Sequence, residues 1–326
     1  MKELRLRLAQ NYGPLVAIGL FVVIFSVYIA NHPAGLSVGV ATNAANKGVL
    51  LALVGMAQTL PVLTGGLDLS VGMIFVMCNC IASAIVNGSP LQVAGGVAGV
   101  LLAGLACGVV NGAVIVYGRL QPIIATLATG AIYYGIALAI RPVPGGEVDD
   151  ALSDAMTNQV FGVIPTTLVL LLAVVVLVWL PFRASVVGRG CYAAGSAEQA
   201  AYMSGVDINR AKLTAYALCG FLAAIAALLL TFVTDSGEAS APGGSIYTLN
   251  SIAVVVIGGT SLLGGVGGAI GSIFGAFVLR TIGDLLFVFD LPPLWQPLIQ
   301  GAILLAALSL GAARVLRIRN RLELFG

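Results

Sequence analysis

One acidic residue, set between two apolar segments, is the first chemical signal in this sequence. Asp68 lies in the stretch TGGLDLSVG, residues 64–72, between apolar runs at residues 48–63 and 69–86. A carboxylate within an apolar segment is costly unless a partner or a function compensates. The pair Gly65-Gly66 in the same stretch permits the turns and close backbone contacts that a helix break requires. We therefore predict a hinge here, with Asp68 either capping a neighbouring helix start or contacting a partner.

Further polar groups interrupt the apolar runs and are candidates for lining a pathway. A polar solute needs hydrogen-bonding groups along its route, although the same side chains also join helices to each other. Arg280 and Asp284 stand four residues apart and share a helix face, so they either neutralise each other locally or line the pathway. The candidate pathway and hinge residues are Gly65, Gly66, Asp68, Ser70, Asn79, Asn111, Gln121, Thr126, Gly258, Gly259, Arg280 and Asp284.

Groups for catalysis are scarce in this sequence. There is one histidine, His32, and none of the few lysines follows glycine in a phosphate-binding GK[ST] motif. The five cysteines lie mostly in apolar runs, and Cys78 and Cys80 point to different helix faces, so we expect buried, reduced thiols. We predict no catalytic residue, no metal site, no cofactor and no nucleotide hydrolysis by this chain itself.

The composition places these groups in a membrane. Of 326 residues, 59% are hydrophobic and only 9% are charged, and the mean hydropathy is +1.06. A soluble domain of this length cannot hide so much apolar surface from water. The 42 glycines suit helices that pack closely through small residues. The chain is therefore predicted to be a polytopic membrane protein of the all-α class, in contact with lipid and not with nucleic acid.

Apolar runs separated by polar gaps predict about ten transmembrane helices. About 20 apolar residues cross a bilayer as a helix, and each run has a comparable length. The first run is read as an uncleaved helix, and residues 1–326 as a single transmembrane domain. The predicted spans are residues 14–30, 48–63, 69–86, 91–117, 122–140, 163–181, 211–233, 249–266, 267–289 and 294–313.

The distribution of basic residues predicts the orientation of the chain. Alternating spans from a cytoplasmic N-terminus place most of the 15 Lys and Arg residues on the cytoplasmic side. Basic residues favour cytoplasmic loops, and an odd number of spans would separate the two basic termini. Both termini are therefore predicted to be cytoplasmic. The acidic loop at residues 141–162 then lies outside, as a landing surface for an external protein, a lid or a plain loop.

The longest polar stretch on the predicted cytoplasmic side runs over about residues 182–212. Within it, residues 196–204 are predicted to form a short helix, with Ser196 as the N-cap and Gly205 as the C-terminal stop. Glu198 near the start of this helix complements the helix dipole. Such a helix offers a rigid contact for a partner protein, and the alternative is a solvated loop that only joins two spans.

Four stretches resemble the permease subunits of bacterial ATP-binding-cassette importers in the ribose, xylose and galactose branch. They span most of the chain in the order found in that family, and the first and fourth are the most specific. The stretches are GMAQTLPVLTGGLDLSVG (residues 55–72), VNGAVIVYGRLQPIIATLATG (110–130), VGRGCYAAGSAEQAAYMSGVDINRAKLTAY (187–216) and IAVVVIGGTSLLGGVGG (252–268).

The resemblance implies a ten-helix permease of type II-like architecture in the bacterial inner membrane. It implies three kinds of partner: a second permease copy or paralogue, cytoplasmic ATP-binding subunits, and a periplasmic solute-binding protein. Part of the polar stretch is similar to the E-x-A-A-x3-G core of the family's ATPase-docking loop. The implied docking residues are Gly188, Arg189, Gly195, Glu198, Ala200, Ala201 and Gly205.

We therefore expect a permease that translocates a small polar solute, most simply a monosaccharide, while a separate subunit hydrolyses ATP. The same architecture would serve nucleosides, branched amino acids or another furanose-type solute. A different class, an ion-coupled secondary transporter using Asp68, Arg280 and Asp284, is an open alternative that the low number of membrane acids disfavours. An intramembrane enzyme has too few catalytic groups.

Overall fold

The computed structural model describes residues 12–239, 243–292, 294–299, 301–302 and 305. This part of the chain is almost entirely helical, in agreement with the all-α prediction, and it contains one small hairpin. The elements are α1 Tyr12–Asn31, α2 Val38–Leu63, α3 Val71–Ile85, α4 Pro90–Val116, α5 Pro122–Ile140, α6 Asp150–Thr157, β1 Gln159–Val160, β2 Ile164–Pro165, α7 Thr166–Val174, α8 Leu180–Ala184, α9 Val186–Ser196, α10 Glu198–Met203, α11 Ile208–Thr234, α12 Gly243–Ile257 and α13 Ala269–Val288.

Most of these helices have membrane-spanning dimensions. A π-helical turn, Val175–Trp179, joins α7 to α8 in one apolar rod of 19 residues. Counting this rod once, seven helices in the described part of the chain are long and apolar enough to cross a bilayer, and α3 and α12 are shorter apolar helices. The predicted tenth span, residues 294–313, lies mostly outside the described residues.

Predicted span boundaries are wrong by six residues or more at the start of α2 and at both ends of α12. α2 begins at Val38 rather than at residue 48, because its polar residues find partners: Asn46 Nδ2 donates to the Thr157 carbonyl at 3.0 Å. α12 ends at Ile257 and α13 begins at Ala269, whereas the apolar runs placed this boundary at residues 266–267. The intervening segment contains five glycines with positive φ, which end a right-handed helix.

Helix α2 forms the centre of the bundle. Every residue from Gly48 to Leu63 is buried, as expected for a helix that is apolar on all sides. It packs against α11, α12 and α13, and α11 packs in turn along α4. The α4–α11 contact is backbone-close, because a Cβ on Gly220 would meet the Gly104 carbonyl oxygen. Small residues thus set the spacing of the central helices.

The connecting segments gather at two ends of the bundle. Residues 64–70, 185–207 and 258–268 meet at one end, which we call the docking end; the Gly265 N–H donates to the Leu63 carbonyl there at 3.1 Å. Residues 86–89, 141–165 and 235–239 meet at the opposite end, where Ser153 Oγ contacts Asp235 Oδ1 at 2.6 Å. The acidic loop of residues 141–162 carries α6 and part of the hairpin, so it is a structured cap rather than a plain loop.

Candidate docking site and hinge

Two short helices form the docking segment. Ser185 caps α9, its Oγ accepting from the Gly188 N–H at 2.9 Å. Ala197, with φ −162° and ψ 91°, separates α9 from α10. The predicted helix over residues 196–204 is therefore shorter than expected, and its predicted N-cap is wrong: Ser196 is the last residue of α9, and Ala197 occupies the cap position.

The two ends of α10 follow the sequence pattern. Glu198 lies in its first turn, where a carboxylate complements the helix dipole. Gly205 has a φ of +80°, and its N–H donates to the Tyr202 carbonyl at 2.9 Å, so it ends the helix as predicted. Glu198 also accepts from Lys212 Nζ at 2.7 Å, which ties α10 to the first turns of α11. The position of α10 is thus fixed at both ends.

Glycines bring the docking segment into direct backbone contact with the bundle. A Cβ on Gly195 would meet the Leu63 carbonyl oxygen, the Gly265 nitrogen at 2.5 Å and the Gly264 Cα at 3.0 Å. Gly65 N lies within 3 Å of the position of a Cβ on Gly264. The last turn of α9 therefore touches both glycine turns, residues 64–66 and 258–268, without an intervening side chain.

A hydrogen bond from Tyr192 reinforces this contact. Its hydroxyl donates to the Gly267 carbonyl at 2.9 Å. Burial raises the pKa of the Tyr192 phenol above its ordinary value, so the hydroxyl keeps its proton and remains a donor at neutral pH. The docking segment is joined to the turn before α13 by this bond.

The outer face of α10 is free in this chain. The side chains of Tyr202 and Met203 are 71% and 84% exposed. They line a cavity of about 640 Å³ together with Glu198, Ile208 and two neutral polar residues of the same helices. A large exposed tyrosine and methionine beside polar groups is a composition typical of protein–protein contact surfaces.

The remaining predicted docking residues support the segment in different ways. Gly188 is buried and approaches the Phe182 carbonyl too closely for a side chain. Arg189 Nη1 donates to the Ala184 carbonyl at 2.7 Å and so caps the end of α8. Ala201 packs inward with Ala194 and Ile208, whereas Ala200 is exposed on the surface of α10.

The predicted hinge at residues 64–72 is a tight, buried turn. Gly65 has a φ of +78°, and a Cβ on Gly66 would meet the Tyr216 hydroxyl. Gly72 lies against the Gly244 carbonyl, so α3 and α12 approach each other through their backbones. These three positions require glycine, which is what the sequence pattern predicted.

Asp68 forms the centre of a buried polar cluster, which we call the Asp68 cluster: Asp68, Ser70, Asn111, Tyr133 and Cys219. Asp68 Oδ1 accepts from the Ser70 N–H at 2.9 Å and the Ser70 hydroxyl at 2.6 Å. Asn111 Nδ2 donates to Asp68 Oδ2 at 3.2 Å, and the Cys219 thiol lies 3.6 Å from the same oxygen. Tyr133 donates to Asn111 Oδ1 at 3.1 Å. The start of α3, α4 and α11 thus meet at one carboxylate, and α5 joins the cluster through Asn111.

This arrangement selects between the two predicted roles of Asp68. Its exposed fraction is 0%, so contact with a partner protein is wrong for this residue. Its bonds to Ser70, directly before α3, place it at a neighbouring helix start, as the other prediction required. A carboxylate that accepts bonds at both oxygens is stabilised in place.

The other predicted pathway residues do not form one line. Thr126 lies beside the Asp68 cluster and accepts from the Leu69 N–H at 3.0 Å. Asn79 is bound towards the opposite end, donating to Thr231 Oγ1 at 2.8 Å and accepting from the Glu238 N–H. Gln121 is exposed at the start of α5. Thr126 and Asn79 therefore join separate pairs of structural elements, which was the alternative to lining a pathway.

The second glycine pair serves close packing at the docking end. Gly258 lies against Gly271 of α13, and Gly259, with a φ of +78°, lies against Gly13 of α1. At the opposite half of the bundle, Arg280 Nη2 and Asp284 Oδ1 are 3.3 Å apart, so the predicted pair forms. Lys47 Nζ joins it at 3.4 Å from the same oxygen.

Several functional positions were missed from the sequence. Tyr133 and Cys219 belong to the Asp68 cluster, but an isolated tyrosine and cysteine in apolar helices give no signal of a shared site. Tyr192 could have been found, because a hydroxyl in the docking segment calls for a partner, whereas Lys47 precedes the predicted span and reads as a loop residue. The five cysteines are free and buried, as predicted. The described residues contain no group of three potential metal ligands.

A sequence comparison identifies the family to which this bundle of apolar helices belongs. The family described as branched-chain amino acid transport system / permease component matches residues 40–308. The chain belongs to this permease family. With its apolar helices, it is a multi-pass membrane permease, and the all-α architecture is that of the family.

Named relatives of this permease cover most of its length. The ribose import permease protein RbsC of Haemophilus influenzae is 32% identical over 295 residues, 89% of this chain and 90% of that protein. RbsC of Bacillus subtilis is 32% identical over 307 residues, 92% of each chain. The autoinducer 2 import system permease protein LsrC of Enterobacter sp. is 34% identical over 292 residues, 88% of this chain and 83% of LsrC. No solved structure matches.

Proposed function

We propose that this permease is the membrane-spanning subunit of an ATP-driven importer for a monosaccharide, with ATP hydrolysed by a separate subunit. One observation carries the proposal: α10 has an exposed face, and α9, directly before it, touches both glycine turns of the bundle. A partner that moves α10 necessarily acts on those turns. This is the arrangement that a subunit driven from outside the membrane requires.

Few contacts separate α10 from the central helix α2. α10 is held to α11 by the Glu198–Lys212 pair and leads through Ala197 into α9. Gly195, in the last turn of α9, rests on the Leu63 carbonyl at the end of α2. α2 is the most buried helix of the bundle, so displacement at its end repacks the surrounding helices. Alternating access follows from such repacking.

The charge distribution supports a cytoplasmic docking end. Arg119, Arg183, Arg189, Arg210 and Lys212 all lie in or beside its segments, and basic residues favour cytoplasmic loops. Both termini then lie in the cytoplasm of a bacterial inner membrane. The opposite end carries most of the acidic residues and faces the periplasmic solute-binding protein. A second permease subunit, identical or paralogous, completes the pathway.

The cargo is proposed from the relatives. Proteins named for ribose import and for autoinducer 2 import share about a third of their residues with this chain over most of its length. A sugar or sugar-like solute is therefore the first choice. Nucleosides and branched amino acids are the competing cargoes, and thermal stabilisation of the cognate solute-binding protein by a panel of solutes decides among them.

The importer is tested by filling the exposed face of α10. Glu198→Trp and Gly205→Trp, each reconstituted with the ATP-binding and solute-binding subunits, should lose ATP-driven uptake while the permease still inserts and elutes as a monodisperse species. Leu120→Trp is the control, because Leu120 is exposed at the same end but lies outside the docking segment. Normal uptake by the α10 variants contradicts the docking assignment. Uptake that needs a proton gradient but no ATPase contradicts the proposal as a whole.

A further inference from the structure

Three charged side chains come together far from the docking end. Lys47 Nζ and Arg280 Nη2 both approach Asp284 Oδ1, at 3.4 and 3.3 Å. One carboxylate therefore serves two cations, and one positive charge is left over. Arg280 Nε is buried without a hydrogen-bond partner among the described residues. The group has the charge and the free donors to accept one more anion.

Both cations lie within helices rather than in connecting loops. Lys47 is nine residues from the start of α2, and Arg280 is eight residues from the end of α13. At 1.5 Å per residue these positions lie about 12–14 Å from the helix ends. Asn46, next to Lys47, donates to the Thr157 carbonyl of α6, so the charged group lies near the end of the bundle opposite the docking end. The side chain of Lys47 is 48% exposed there.

A cavity adjoins the three charges. Its volume is about 270 Å³, and it lies between α2, α12, α13 and residues 296–297. Lys47 and Arg280 line it, together with Asn250, Gln296 and Tyr247. Amide and phenol groups hydrogen-bond to hydroxyls, while the cations bind an oxyanion. A cavity just below the usual 300–1,000 Å³ of ligand pockets suits a small solute.

We propose that this cavity is a solute subsite selective for a monosaccharide that bears a carboxylate. The carboxylate binds between Lys47 and Arg280, and the ring hydroxyls face Asn250 and Gln296. Asp284 holds the two cations in place and, by its own charge, limits how tightly the anion binds, so that the solute can leave again. This inference rests on the proposed function, because it takes the cavity to be part of the route of a transported solute.

Binding to the full-length permease, purified in phosphatidylcholine nanodiscs, tests the subsite. The probes are D-galacturonate and D-galactose, which share a ring and differ in the carboxylate. Charge-assisted hydrogen bonds predict that galacturonate binds about tenfold to a hundredfold more tightly than galactose. Equal affinities, or no binding of galacturonate, overturn the proposal. No ATP-binding subunit is present, so this result is separate from the docking experiment.

Variants of opposite charge sharpen the test. Lys47→Gln and Arg280→Gln should each weaken galacturonate binding about tenfold or more and leave galactose binding unchanged. Asp284→Asn should strengthen galacturonate binding, a change that a purely structural role of Asp284 does not produce. Arg119→Gln removes an exposed positive charge at the docking end and is the control. Weaker galacturonate binding in Asp284→Asn with monodisperse elution overturns the proposal.

Other sources of an anion give different results. Nanodiscs containing phosphatidylglycerol identify a lipid headgroup site if they stabilise the chain through Lys47 and Arg280 while galacturonate does not bind. Inorganic phosphate that displaces galacturonate at equal concentration identifies a general anion site. A change in oligomeric state in Lys47→Gln, without a change in galacturonate binding, identifies a subunit contact. Each of these three outcomes overturns the solute subsite.

Discussion

The tightest contact between the docking segment and the bundle is at Gly195, and Gly195→Ala tests whether that contact transmits force. The added methyl group would point at three backbone atoms, on Leu63, Gly264 and Gly265, none of which can turn away as a side chain can. We expect the variant to insert normally and to lose ATP-driven uptake. ATP hydrolysis should continue without stimulation by the loaded solute-binding protein.

The size of the effect follows from the geometry. The Gly265 nitrogen is 2.5 Å from the position of the new Cβ, about 0.9 Å short of the 3.4 Å at which ordinary contact begins. α9 must therefore move by nearly an ångström from the Gly265 nitrogen, and further from the Leu63 carbonyl oxygen, which is closer still. Overpacking of this kind costs about 1–3 kcal/mol, which weakens the contact between the docking helices and the turns without unfolding the whole bundle.

Gly135→Ala is the matched control for this change. Gly135 lies within α5, and no atom of the described structure lies within 4 Å of a Cβ placed on it. Alanine in a helix interior stabilises by roughly 0.5–1 kcal/mol relative to glycine. Uptake by Gly135→Ala should equal that of the unchanged chain. Full uptake by Gly195→Ala as well would refute the idea that this contact couples the docking segment to the bundle.

Three further substitutions test the hinge and the docking helix. Asp68→Asn replaces an accepting oxygen with an N–H group that faces the donors of Ser70 and Asn111. The free energy of unfolding in detergent should therefore fall by about 2 kcal/mol; an unchanged unfolding midpoint would mean that the carboxylate is dispensable. Gly72→Ala forces α3 from the Gly244 carbonyl and should cost about 1–3 kcal/mol by the same measurement. Glu198→Gln breaks a half-exposed ion pair worth less than about 1 kcal/mol, so uptake should fall while the unfolding midpoint stays the same; a large drop in midpoint would assign Glu198 to the fold.

The all-α class and the alternating direction of successive helices could be predicted from the sequence. The length of an apolar run and the basic residues beside it are both local features of the sequence. The alternation of the predicted spans places residues 64–68 and the boundary at residues 266–267 at the same end, and the contacts of Gly195 with both segments agree. The start of α2 was not predicted. Asn46 and Lys47 read as loop residues until their partners on α6 and α13 are known.

Three residues of the Asp68 cluster were named from the sequence, but their contact with one another was not predicted. Asp68, Ser70 and Asn111 were all named, yet nothing in the sequence joins Asn111 to Asp68, 43 residues earlier. Asn79 was named with them and lies elsewhere, bound to Thr231. A polar residue in an apolar helix indicates that it needs a hydrogen-bond partner. Which residue becomes the partner depends on how the helices pack, and packing is not determined by the neighbouring sequence.

The Asp68 cluster gives the hinge a fixed base. It joins the start of α3 to α4, α5 and α11, directly after the turn on which the docking segment rests. If this base were soft, displacement of α9 would be absorbed in residues 64–70. Because the carboxylate is bonded from several helices, the displacement would pass instead to the end of α2, where the Leu63 carbonyl accepts from the Gly265 N–H. Under the proposed function, the Asp68 cluster therefore determines which helix responds to a partner bound at the docking segment.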